Sequence, residues 1–347
     1  MPENGDSMKT VQAQDRMKKV FFWIMRFTVS FGILYYLLKL IPLEKVLETI
    51  RSANIVLVVI AILLTQLLTY ISAMKSKILT DEHNMSLTVG KIFKINYVTQ
   101  FYGLFLPEVI SSGLIRWHKF STPDRKPAEA LASMIFCRFI EITLLLVLGL
   151  MFWILDKSSR SNDFLGIILA ILLFVCIVIY YVAFSHKISL LILNILNKIS
   201  FLPKIFVEKI QKVLMATSKY QSLKKSSLFK VIGLNIIKDM ISIFSFYLLA
   251  ISVNINVNFV SIAWIRSYVQ IFCLLPISIS GIGIQEGSLI YFLGSFGAST
   301  SSAVALSLLF YVRTLIGGAI GGLIQTAELV NSSQKKTEMS KVVYREK

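Results

Sequence analysis

The sequence predicts an all-α fold: a polytopic membrane bundle of about eight spanning helices with two broken or re-entrant segments. Three observations predict it. Hydrophobic residues make up 55% of the 347-residue chain and charged ones only 16%, where a soluble domain carries about 25%. Several apolar runs reach the roughly 20 residues that a helix needs to cross a bilayer. These runs are continuous rather than alternating, which excludes a β-barrel.

Taken in order, residues 1–19 form a polar tail with Lys9, Arg16, Lys18 and Lys19. No small-residue site closes the apolar run that follows, so no cleavable leader is expected. A single membrane domain is predicted over residues 20–330. Its first span is Val20–Ile41, followed by a short amphipathic connection, Pro42–Asn54. Ile55–Met74 is a second span without a charge, and Lys75, Lys77, Lys91 and Lys94 follow it.

The next apolar stretch is interrupted. Pro107, Ser111, Ser112 and Gly113 break it and Arg116 closes it, with basic residues on both flanks. Basic flanks face the cytoplasm, so an entry and a return on one side are expected. Pro127–Leu155 spans, and Arg138 and Glu141, three residues apart, share a helix face and can pair. Phe164–Ser185 is uncharged. Residues 186–230 hold many lysines against Glu208 alone, with apolar residues at helical spacing. Two readings fit that segment: a basic amphipathic helix on the inner membrane surface, or an ordinary cytoplasmic loop. Leu228–Val253 spans with Lys238 and Asp239 inside it, and Phe259–Leu275 spans with Arg266.

Residues 276–297 are the second interrupted stretch. Pro276 lacks a backbone donor, and Gly281, Gly283 and Gly287 permit sharp turning, which makes them hinge candidates with Pro107 and Gly113. Glu286 places a carboxylate in sequence otherwise fit for hydrocarbon, where an ionisable group is a functional hypothesis by default. Ala303–Leu329 is the last span, with Arg313 and a GGAIGG patch that lets helices approach closely. Residues 331–347 are a basic tail, expected to be cytoplasmic and frayed.

Net charge is +17. This fits cytoplasmic loop bias or attraction to anionic lipid headgroups, and the basic residues lie between spans rather than on one folded face, so nucleic-acid binding is not expected. Cys137, Cys176 and Cys273 show no metal or disulfide spacing, and His83, His118 and His186 form no cluster. There is no phosphate-binding loop and no nucleophile elbow, so neither a cofactor nor an enzyme activity is expected.

The two interrupted stretches echo each other, and paired breaks of this kind point to a transporter's binding site. Pro276 to Gly287 reads PISISGIGIQEG. It resembles the Pro-x-Ser-x-Gly-Gly-x-Gly-x-x-Glu-Gly signature of the transmembrane, flippase-like part of the lysylphosphatidylglycerol synthase family. Arg313 matches a further family arginine. Pro107, Ser111, Ser112, Gly113 and Arg116 stand where family members often read Pro-x-x-x-Gly-Gly-Asp-x-x-Arg, with the acid replaced by Gly113. Ser133 and Arg138 fit a third pattern, with Cys137 in place of an acid.

The resemblance implies handling or translocation of lipids or lipid-linked envelope precursors across the cytoplasmic membrane, without the synthases' soluble transferase domain. Arg116, Arg138 and Arg313 are the candidates for an anionic headgroup. Glu141 and Glu286 would balance their charge, or Glu286 would carry a coupling proton, and Ser111, Ser112, Ser278 and Ser280 would offer hydroxyls. Arg116 and Glu286 are expected to meet in one cavity. A different outcome is that these charges only pair with one another and lock the bundle. A second function is a non-catalytic subunit or scaffold for a partner transferase or synthase. Membrane lipids, anionic ones first, are the expected partners, and both termini are expected in the cytoplasm.

Overall fold

The computed structural model describes residues 43–104, 106, 113–156, 163–185, 204–274 and 281–345. The predicted tail and first span, together with Pro107, Ser111, Ser112, Pro276, Ser278 and Ser280, lie outside the described residues. Those residues form eleven α-helices and no strand. The helices are α1 (Leu43–Arg51), α2 (Ile55–Asp81), α3 (Val89–Gly103), α4 (Arg116–Ser121), α5 (Pro127–Leu155) and α6 (Asp163–Phe184). After them come α7 (Lys204–Ser218), α8 (Lys225–Ser252), α9 (Phe259–Leu274), α10 (Ile284–Gly294) and α11 (Thr300–Arg345).

Local chemistry sets several helix starts. The Asn54 side chain accepts from the Val56 and Leu57 N–H groups at the start of α2. Thr88 accepts from the Lys91 N–H at the start of α3. Pro127 opens α5, where its missing donor costs nothing. Nothing breaks the helix after Gly322, because no glycine or proline follows it, and α11 runs to Arg345 through the stretch expected to fray.

Five stretches are long and apolar enough to cross a membrane: α2, α5, residues 164–181 of α6, α8 and residues 300–329 of α11. The outward faces are apolar. Phe164, Phe174 and Tyr181 of α6 are about two-thirds exposed, as are Ile55 and Leu63 of α2. Such faces are stable only against lipid or another protein. The chain is a multi-pass membrane protein. Over the expected span Phe259–Leu275 the described residues form a 16-residue apolar helix, about 24 Å long, that runs up to where they stop.

The bundle has a basic end. There Lys126 donates to the His83 and Asn84 carbonyls and Lys219 donates to the Glu82 carbonyl, stitching three loops together. Beneath them Tyr220 donates to the Leu79 carbonyl, lies 2.7 Å from the Ser133 hydroxyl and stacks on Phe136. In α7, Glu208, Lys209 and Lys212 are exposed while Ile210 and Leu214 are half-buried against α5 and α6, the amphipathic arrangement of the first reading. At the opposite end Asp156 accepts from Ser261 and from the Trp264 indole, and the Asn54 N–H donates to the Ser252 carbonyl.

Two short-helix hairpins reach inward from these opposite ends. From the basic end, α3 enters beside the Ser86–Asp124 hydrogen bond, and the chain is back there at α4, where Trp117 donates to the Pro127 carbonyl. From the other end, α9 and α10 pack antiparallel. Gly281 sits against Cys273 near the tip, and Phe296, just beyond α10, meets Trp264 at the base. Gly281 and Gly283 make the turn with φ of 77° and 86°, backbone that an L side chain resists. Gly287 lies inside α10 and Gly113 opens a π-type turn, and neither is among the positive-φ glycines.

The GGAIGG patch seats α11 on α3. A Cβ at Gly321 would fall 1.9 Å from the Tyr97 carbonyl oxygen, and one at Gly318 would fall 2.4 Å from Leu104. Backbone meets backbone here, so a methyl group has nowhere to go. Gly321→Ala is expected to lower stability by about 1–3 kcal/mol or more. Gly233→Ala, where a Cβ meets nothing, is expected to be near neutral. Thermal unfolding in detergent compares the two.

His83 yields a second test. Its ring is buried edge-on to Tyr220. Burial first, then the Lys219 amine and, against an opposing pull from Glu129, the Lys126 amine lower its pKa from 6.5 to about 4. The folded state therefore holds it neutral, and the unfolded chain binds the proton first. Stability from this site is present above pH 6.5 and is lost as pH falls toward 4. His83→Asn is expected to flatten that part of the stability–pH curve, read as Tm between pH 7.5 and 4.5.

Candidate functional site

Polar side chains converge where the long helices are at mid-length. Thr65, Thr69 and Ser72 of α2, Arg138 and Glu141 of α5, and Lys238, Asp239 and Ser242 of α8 all face one cavity of about 480 Å³. The hairpins complete its wall, with Asn96, Thr99 and Gln100 from α3, Arg116 from α4, and Arg266 and Gln270 from α9. Arg313 and Thr314 of α11 close it. Of the sequence candidates, Arg116, Arg138, Glu141 and Arg313 therefore share one space.

Glu141 is the hub. Its Oε1 lies 2.5 Å from Lys75 Nζ and 3.1 Å from Lys238 Nζ, and its Oε2 lies 3.7 Å from Arg138. Lys75 is fully buried and donates also to Asn235 Oδ1 at 2.6 Å. Asn235 in turn donates to Asp239 at 2.8 Å. A lysine this deep stays tolerable because each near neighbour is a carboxylate or an amide oxygen.

The arginines are less well matched. Arg116 donates to Ser76 at 3.0 Å and lies over the Phe120 ring, yet its Nε has no hydrogen-bond partner. Arg266 donates to Ser242 at 2.5 Å, while its Nε and Nη1 have none. Arg313 lies over the Phe310 ring at 3.8 Å and close enough to Arg266 to be repelled by it. Among the described residues, five cationic side chains line the cavity against Glu141 and Asp239, an excess of positive charge.

Glu286 is elsewhere. It does not line the cavity and does not meet Arg116. It is buried at the start of α10, accepting from the Gly283 N–H at 2.7 Å and the Ser307 hydroxyl at 2.9 Å. Gln285 donates to the same Ser307. The positive end of the helix dipole and these donors satisfy its charge, so it fastens the hairpin to α11. Its partners lie three and 21 residues away, and no local spacing foretells the second.

Sequence reasoning had marked Lys238, Asp239 and Arg266 as charges within spans without placing them in a site. The rule that intramembrane charges face the bundle interior would have found them. Lys75, read as a loop residue, lies within α2, because that helix runs on to Asp81.

A family model described as the lysylphosphatidylglycerol synthase TM region matches residues 23–322. No curated protein matches the chain.

The hub makes a stability prediction. Glu141→Gln strands the buried Lys75 and is expected to cost about 3–5 kcal/mol. Arg138→Gln, on a side chain 44% exposed, is expected to cost far less. Adding Lys75→Met to Glu141→Gln is expected to recover part of the loss, measured as a double-mutant cycle of thermal stability.

Proposed function

The chain belongs to the lysylphosphatidylglycerol synthase TM family, membrane proteins linked to lipid handling, and from that premise we propose that it translocates lipids with anionic headgroups. One observation carries this reading: a mid-bundle cavity with more cations than carboxylates among the described residues, in which Arg116 and Arg266 keep guanidinium nitrogens without a hydrogen-bond partner. A phosphate brought into it meets guanidinium donors in the fork geometry that suits its oxygens. Arg116, Arg138, Arg266 and Arg313 are the headgroup ligands, and Glu141 with Asp239 keeps the site from overcharging when it is empty.

The hairpins supply the route. We read both as re-entrant, one from each side, so that each gates one approach to the cavity. The headgroup then crosses in the polar interior while the acyl or prenyl chain stays in hydrocarbon. The basic end faces the cytoplasm of the cell membrane by the positive-inside rule. Glu286 serves as the clasp that lets the α9–α10 hairpin move as a unit with α11.

The test is transport in proteoliposomes with a fluorescent anionic phospholipid and an impermeant quencher. Arg116→Ala and Arg313→Ala are each expected to slow the lipid's movement about tenfold or more, the loss of a charge-assisted contact. Wild-type protein no faster than empty vesicles overturns the proposal.

A further inference from the structure

We infer that Arg266 and Arg313 form a clamp for a phosphate group carrying at least two negative charges, a phosphate monoester or a diphosphate, rather than the single charge of a phosphodiester. The inference rests on the reading that this cavity takes lipid headgroups, and it narrows their class.

Three features carry it. First, the two guanidinium groups, from α9 and α11, line the same cavity, where like charges repel. Like charges held together at the middle of a membrane bundle are unstable unless an anion bridges them. Second, among the described residues neither is ion-paired to a carboxylate. The nearest acid, Asp239, attracts Arg266 from a distance, but its oxygens are engaged by the Asn235 amide and approached by Lys238. Third, Arg266 is 91% buried by its 9% exposure and aims at the cavity, with Nε and Nη1 unpartnered. Nη2 lies between them and gives only one of its two hydrogens to Ser242, so one edge of the guanidinium fork stays free to take two oxygens of one phosphate.

Charge then decides the class. A phosphodiester brings one negative charge and leaves one of the two arginines uncompensated. A monoester near neutral pH carries close to two, and a diphosphate more. Gln270 and Thr314, also on the wall, offer uncharged donors to the remaining oxygens.

The experiment measures binding to the purified full chain in detergent. The probes are phosphatidylcholine, phosphatidylglycerol, phosphatidic acid, a short-chain polyprenyl diphosphate and inorganic pyrophosphate. The polyprenyl diphosphate and phosphatidic acid are expected to bind about tenfold or more tighter than phosphatidylglycerol, since one added charge acts at close range in a partly desolvated site. Arg313→Gln is expected to erase that preference while phosphatidylglycerol binding persists. Arg266→Lys, which keeps the charge and the fold but loses the fork, is expected to reduce it.

Equal affinity for phosphatidylglycerol and the diphosphate lipid overturns the clamp and leaves the lipid-handling reading standing. Binding of pyrophosphate with no advantage for the diphosphate lipid overturns the headgroup assignment in favour of a free phosphate. Failure to retain any lipid, phosphatidylcholine included, overturns both readings. A preference that survives in Arg313→Gln and Arg266→Lys alike overturns the assignment of these two residues.

Discussion

One carboxylate shared by three cations holds the middle of this bundle. Glu141 draws Lys75 from α2, Lys238 from α8 and Arg138 from its own helix into one network. In hydrocarbon no water stands in for a missing partner, so each of these charges is held where another can reach it. The mid-length contact of α2, α5 and α8 follows from that constraint. The cavity is the space that the network leaves beside itself. Charge balance is local and incomplete there: the lysines are matched, and Arg266 and Arg313 are not.

The hairpins are a second consequence of the same economy of polar groups. A helix that ends within a membrane bundle must satisfy its exposed backbone inside the protein. At the α9–α10 tip, Gly281 and Gly283 take the turn, and Glu286 caps the new helix through the Gly283 N–H. At α3, the glycine patch of α11 brings two backbones into contact, so the hairpin is held by close packing rather than by charge. One is clasped by hydrogen bonds to Ser307 and the other by the fit of Gly321 under Tyr97. Both deliver polar side chains to the same cavity, from opposite ends.

The signature stretch therefore does something different from what its charge suggests. A carboxylate in an apolar sequence reads as a ligand for a cation or a proton. Its surroundings make it a structural acceptor instead, because a helix N-terminus is the least costly place to bury a negative charge. The proposed function uses the charges left over after such structural needs are met. That is why the proposed ligand site centres on Arg116 and Arg266, whose guanidinium groups keep nitrogens without an acceptor among the described residues.

Much of the architecture was legible along the chain. Hydropathy and run length identify spans wherever an apolar stretch faces lipid, since that requirement acts residue by residue. α2, α5, α6, α8 and α11 stand where such runs stand. Arg138 and Glu141 pair because three residues is one turn. Span count was less legible: over its 16 described residues α9 mixes apolar side chains with Arg266 and Gln270, so composition does not decide whether it crosses. What the sequence by itself determined is the class of protein, the positions of its long apolar helices and which charges fall within them. Only the tertiary structure decided that Arg266 and Lys238 join Arg116, Arg138 and Arg313, that Lys75 belongs to Glu141, and that Glu286 belongs to Ser307. Those choices depend on how each helix is rotated and which neighbour it meets, and contacts 21 to 160 residues apart leave no trace in local spacing.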